Sequence, residues 1–352
     1  MKTKREKVCL IFGVVAVLVL CIVFGSMTAA KTRYNDDGSY AHFTMDDSFV
    51  SVVKHPAFKG YGQLLIPAST DIGRAMFCFN SIGTISSGEW SSNQDLLDAL
   101  NCMIDQANEG NVLFYDYYTE EELAADDVKG DTVLTFLKGD PGAPFILTMG
   151  GGGYKDIGLL NEGIASGVPF VEAGYNVFSF RYRAEFYLQD AEGNTDFNIA
   201  VQDVAACLEF IFEHAEEFEI ATSNYAIAGF SAGGNLAQGW GTPGVGYDVF
   251  NLPAPSCVML IYGGGIGDLG SFDGSTIPEN YPPFFAISTE EDMVQIREGT
   301  KRLDLQADEF GIPHYVEIYP EGAHGFGRGT GTPAADWPEK AMKFWKSLDT
   351  EE

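Results

Sequence analysis

The sequence predicts an α/β protein built on a doubly wound, mostly parallel sheet, and three observations carry that prediction. From residue 111 onward, short apolar runs bounded by Gly, Pro and Asp alternate with longer amphipathic stretches. Several of these runs, 145–149 among them, are apolar at all or all but one of their positions, as expected of strands that crossover helices cover on both faces. Residues 225–240 then pass from an apolar run, through Gly229-Phe230-Ser231-Ala232-Gly233, into a helix-forming stretch without spare residues between them.

The elements follow in order. Residues 1–30 read as a targeting segment: Lys2, Lys4, Arg5 and Lys7 precede an uncharged apolar run over 8–25, and small residues follow. The run suits either a cleaved leader or a retained membrane anchor, and both place the rest of the chain outside the membrane, exported. Residues 31–110 form an N-terminal extension of unassigned role, with one helix over 95–108 and an apolar patch over 55–67. A helical hairpin, a lid and an arm wrapped on the main domain all fit it.

The main α/β domain is expected over 111–350. Strands at 112–118 and 132–138, separated by an acidic turn, read as an antiparallel edge. A strand at 145–149 runs into Gly150-Gly151-Gly152-Gly153-Tyr154. A helix near 161–173, a strand at 176–182 and a helix at 197–218 follow. That last helix repeats Val201, Val204, Ala205, Leu208, Ile211, Phe212 and Ala215 at helical spacing. Beyond the serine turn come strands at 257–262 and 284–288, a helix at 294–310, a strand at 315–319 and a closing helix at 338–348.

Composition narrows the function classes. The chain has 352 residues and 45% apolar composition, enough for one large α/β domain with additions. Its 21 basic and 50 acidic residues give a net charge of −29, which repels nucleic acid and anionic membrane surfaces. Six cysteines make no framework. Cys207 and Cys257 read as buried thiols, while Cys78 and Cys102 are a candidate pair in an oxidising compartment. No Cys/His spacing suggests a metal, and no cofactor motif is present.

In a parallel sheet the reactive loops leave the carboxyl ends of the strands, so the residues there decide the chemistry. Ser231 sits at the tip of its turn, flanked by Gly229 and Gly233 where the backbone passes close to itself, with a helix N-terminus aimed at it. His324, in Gly322-Ala323-His324-Gly325-Phe326, follows the strand at 315–319 and is the expected general base. His314 begins that strand and so falls at the wrong end of the sheet; His42, His55 and His214 read as surface or packing residues. After the strand at 284–288, Glu290, Glu291 and Asp292 offer a carboxylate, and Asp292 is expected to orient the imidazole. The N–H groups of Gly152, Gly153 and Ala232 are the expected oxyanion-hole donors, the blander reading of the glycine run being a plain turn.

With those residues in place the chain resembles the α/β-hydrolase superfamily, and within it exported esterases of the acetyl-xylan and feruloyl esterase type, similar to hormone-sensitive-lipase-like enzymes. The resemblance spans residues 111–348 and rests on the glycine run, Gly-Phe-Ser231-Ala-Gly-Gly, Asp292 and His324 in that order. It departs at Gly150, where the family usually has His or Pro. The resemblance implies a serine esterase releasing short acyl groups, such as acetyl on carbohydrate, through an acyl-enzyme. A serine peptidase of the same fold and an inactive binding module are the alternatives. Residues 263–281 are too short and polar for an apolar cap, so the expected site is open and suited to acyl groups of about two to four carbons.

Overall fold

The computed structural model describes residues 34–67, 77, 78, 80–85, 92–184, 197–267 and 272–349; the predicted leader over 1–30 lies outside them. Eight strands form one sheet: β1 (Phe114–Tyr115), β2 (Val133–Leu137), β3 (Pro144–Met149), β4 (Asn176–Arg181), β5 (Ala221–Phe230), β6 (Cys257–Ile261), β7 (Phe284–Thr289) and β8 (His314–Tyr319). Their order is β1-β2-β4-β3-β5-β6-β7-β8. β1 pairs with β2, and β2 with β4, antiparallel; every pairing from β4 through β8 is parallel. The reversal of strand order at β3 places the loops after β3, β5, β7 and β8 on one edge, where doubly wound sheets bind their ligands.

Six helices matter for the site: α1 (Asn93–Asn108), α2 (Ala165–Glu172), α3 (Phe197–Glu213), α4 (Ala232–Gly241), α5 (Val294–Phe310) and α6 (Trp337–Leu348). Strands β2, β4, β6 and β7 are buried at every position, which is why they read as apolar runs without alternation. Helix α3 buries Val201, Val204, Ala205, Leu208 and Ile211 on the face its periodicity marks.

Three expectations are corrected in detail. The first strand is only two residues long, because the chain leaves the sheet so that the Tyr117 and Tyr118 hydroxyls reach the Arg181 carbonyl and the Asp203 carboxylate. The helix expected near 161–173 opens with a π-helical turn over Leu159–Ile164 before α2. Cys78 and Cys102 are both free thiols, and burial, with acidic neighbours, pushes Cys102 up to about 12.

Of the three forms open to the N-terminal extension, the described part takes that of an arm packed on the domain. Phe43, Phe49, Val52, Phe58, Leu65 and Ile66 are buried in the same cluster as the sheet's side chains. Helix α1 lies against α2, and its N-cap Ser92 accepts the N–H groups of Gln94 and Asp95. His55 packs among Tyr40, Phe43 and Phe58, away from the reactive edge. Among the described residues, no helix is long and apolar enough to cross a membrane, and no group of side chains is suited to hold a metal.

Candidate active site

Ser231 stands between β5 and α4 with φ 52° and ψ −119°, a strained conformation for a residue with a side chain. The surrounding packing over-determines it. A Cβ at Gly229 would collide with the Gly233 carbonyl, and one at Gly233 with the Met149 carbonyl, so the turn closes only with glycine at both positions. The Ser231 N–H donates to the Ile261 carbonyl at 3.0 Å, fixing the turn to β6.

The structure brings Ser231, His324 and Asp292 together in one chain of hydrogen bonds. Ser231 Oγ lies 2.8 Å from His324 Nε2, and His324 Nδ1 lies 2.9 Å from Asp292 Oδ1. The Asp292 side chain is fully buried while the imidazole is 26% exposed, so the pair has a dry end and an end open to a reactant. Asp292 Oδ1 also accepts the Met293 N–H at 2.6 Å, which holds the carboxylate in place.

The other loop acids have different tasks. Glu290 is exposed and lies 3.6 Å from Arg297. Glu291 accepts the Gly322 N–H at 3.0 Å and so fastens the loop that carries His324. The remaining histidines stay remote: His314 meets the Ile312 carbonyl and Asp304 at the amino end of β8, His214 meets the Phe210 carbonyl, and His42 meets Asp105.

The glycine loop after β3 packs against the serine. A Cβ on Gly151 would lie 2.6 Å from Ser231 Cβ. The Gly151 N–H is taken by Glu162 Oε2 at 2.6 Å, whereas no described residue accepts the N–H of Gly152, Gly153 or Ala232. Tyr154 is buried beneath the loop, and its hydroxyl donates to Asn235 Oδ1 of α4 at 2.9 Å. At Gly150, where the family pattern differs, the carbonyl accepts the Tyr182 hydroxyl at 2.8 Å.

A cavity of about 620 Å³ reaches Ser231 and His324, with Gly151, Gly152, Gly153 and Glu162 on its walls. None of the described residues of 263–281 lines it; its apolar side comes from elsewhere in the chain. Phe49, Leu65, Phe77 and Ile85 from the N-terminal segment, with Leu96 of α1, line it. Sequence reasoning missed the first four because they stand in short segments without periodicity, and Leu96 because nothing local places its helix beside the serine. It also missed Glu162, whose only signal is an acidic residue between Leu160 and Ile164.

The fold agrees with that of known proteins. The BD-FAE family model matches residues 137–246. A curated relative, an acetylxylan esterase of Xylanibacter ruminicola, is 25% identical over 228 residues, covering 58% of this chain; the chain spans 45% of that relative's length. Among solved structures, MGS-M1, an α/β hydrolase from a Medee basin deep-sea metagenome library, superposes with a TM-score of 0.52 at 20% identity, covering 62% of this chain and 92% of its own. Esterase B from Lactobacillus rhamnosis gives 0.54 at 15% identity, covering 68% and 85% respectively. An acetyl ester-xyloside bifunctional hydrolase from Caldicellulosiruptor lactoaceticus gives 0.50 at 20% identity, covering 62% and 88%. The sheet order and these matches show that the chain has the α/β-hydrolase fold, and its residues 137–246, which include the serine turn at the end of β5, match the BD-FAE family model.

Proposed function

We propose that the protein is a serine carboxylesterase acting through an acyl-enzyme on Ser231. The observation that carries this is the unbroken chain from Ser231 Oγ to His324 to Asp292, at 2.8 and 2.9 Å, opening on a cavity. In this reading Ser231 Oγ attacks the ester carbonyl carbon while its proton moves to His324 Nε2, and Asp292 Oδ1 accepts the Nδ1–H of the imidazolium. The carbonyl oxygen becomes an oxyanion held by the N–H groups of Gly152, Gly153 and Ala232. Collapse expels the alcohol, which takes the proton from His324. Water then repeats the sequence on the acyl-enzyme, and the carboxylic acid leaves.

On the substrate, two lines of support differ. The apolar wall supplied by Phe49, Leu65 and Leu96 favours an ester whose apolar half leaves water in the cavity. The similarity to an acetylxylan esterase favours a second reading, release of acetyl groups from carbohydrate. Labelling with a fluorophosphonate probe tests the mechanism. Labelling of the wild type that is lost in Ser231→Ala supports a serine hydrolase, whereas an unlabelled wild type supports an inactive binding module. Hydrolysis of a peptide amide but of no ester would favour the peptidase alternative. We also propose export, with residues 1–30 as cleaved leader or anchor; fractionation of a tagged full-length chain into the cytosol would overturn it.

A further inference from the structure

Glu162 stands in the π-helical turn Leu159–Ile164, the kind of helical irregularity that recurs at functional sites. It is 1% exposed. Burying a carboxylate costs several kcal/mol unless donors satisfy it, and here the donors come from two other loops. The Gly151 N–H reaches Oε2 at 2.6 Å and the Tyr262 hydroxyl reaches Oε1 at 2.9 Å. The Tyr262 oxygen in turn accepts the Gly327 N–H at 3.0 Å. Gly327 lies just beyond His324 in the same loop, and the Tyr262 ring meets the imidazole edge-on at 5.2 Å. Tyr262 has φ 41°, a left-handed backbone that a tyrosine adopts only under such tethering.

One carboxylate thus connects the glycine loop after β3, the residue that ends β6 and the histidine loop after β8. The Gly151 bond has a particular consequence. It occupies the Gly151 N–H, whereas the next two N–H groups of the loop have no described acceptor. Glu162 also shares the cavity wall with His324. Burial raises its carboxyl above the ordinary glutamate value, while the Gly151 and Tyr262 bonds and the nearby imidazole oppose that rise.

We propose that Glu162 is a positioning residue for the Ser231 chemistry, which holds the Gly152 and Gly153 amides in register with His324 through Tyr262 and, by its negative charge, favours the imidazolium that forms when His324 takes the serine proton. The inference rests on the esterase reading above. A glutamine cannot replace the carboxylate, because Gly151 N–H and Tyr262 O–H are both donors and an amide offers only one acceptor oxygen.

The test uses the full chain with Glu162→Gln, Glu162→Asp and Tyr262→Phe, measuring kcat and KM on p-nitrophenyl butyrate from pH 5 to 9 beside thermal melting. In Glu162→Gln, kcat is expected to fall about 10- to 100-fold with KM changed less than about threefold, since misaligned donors weaken the transition state more than the substrate complex. The acid limb of kcat/KM, set by His324 against Asp292, Ser231, Tyr262 and Glu162, should move to lower pH as one negative charge is removed. Glu162→Asp should recover part of kcat. A folded Glu162→Gln with kcat within about threefold of wild type, or with an unmoved acid limb, overturns the proposal. If that variant does not fold, Tyr262→Phe decides: it keeps the Gly151 bond and cuts the link to Gly327, and unchanged kcat overturns the proposal. A wild type that neither hydrolyses the ester nor reacts with a fluorophosphonate defeats the esterase reading itself, a separate outcome.

Discussion

Glu291 accepts the Gly322 N–H at 3.0 Å, so the loop that presents Asp292 also grips the loop that presents His324. His324 and Asp292 are therefore held relative to each other by their own contact at 2.9 Å, by this bond beside it, and by the Thr289 hydroxyl, which donates to the Gly322 carbonyl.

An ordering of three variants follows from that pairing. Asp292→Asn is expected to lower kcat about a thousandfold or more, since an amide at this position favours the wrong imidazole tautomer. Glu291→Gln should cost a few-fold, through a looser histidine loop, and Glu290→Gln should cost nothing measurable. Steady-state kinetics on one p-nitrophenyl ester suffices, and equal losses in all three would misplace the acid.

Removing the nucleophile should separate chemistry from stability. Ser231→Ala and His324→Ala are each expected to lower kcat by several powers of ten, because the three residues act as a unit. The melting temperature of Ser231→Ala should stay within a few degrees of wild type, since only one half-buried hydroxyl is lost and the turn glycines remain. Retention of more than about a hundredth of kcat in either variant would exclude the assignment.

The apolar wall predicts an acyl preference that the open-site expectation does not. With Phe49, Leu65 and Leu96 available to cover a chain, each added methylene that is buried gains about 0.8 kcal/mol, close to fourfold in kcat/KM. The expected optimum on p-nitrophenyl esters lies at about six to eight carbons, and Leu96→Trp should shift it to shorter chains by filling the cavity. An optimum at acetate in the wild type would favour the carbohydrate-acetyl reading instead.

Stability should depend on pH through Glu162 in a defined direction. Its carboxyl is raised in the folded protein by burial. The folded state therefore binds that proton more tightly than the unfolded chain, and the associated stability is full below the ordinary glutamate range and lost as pH rises through the folded value. The melting-temperature advantage of wild type over Glu162→Gln should accordingly be larger at pH 4 than at pH 7. An advantage that grows with pH would mean the opposite shift.

The sheet and the Ser231, His324 and Asp292 chain were legible because each rests on local signals. β3, β6 and β7 are continuous apolar runs, and the serine turn needs its glycines at fixed spacing. The N-terminal arm was not legible, because Phe49, Phe58 and Leu65 sit in single turns or 3-10 segments and are buried by distant contacts rather than by a periodic face. Glu162 was hidden for a related reason. Nothing local marks a glutamate whose partners are Gly151 and Tyr262, the latter a hundred residues away in sequence.

The contact between Arg328 and Asp98, at 3.4 Å and 230 residues apart in sequence, has a consequence for when this protein becomes active. Arg328 belongs to the histidine loop and Asp98 to α1, the helix that also supplies Leu96 to the cavity. The candidate site is thus closed by α1, from the N-terminal segment, meeting the loop after β8. Such long-range closure forms late, after the loop-closure entropy between the two ends has been overcome. In the esterase reading, a nascent chain still lacking β8 and the loop after it carries Ser231 without His324 or this clasp, so hydrolysis awaits the folding of that loop.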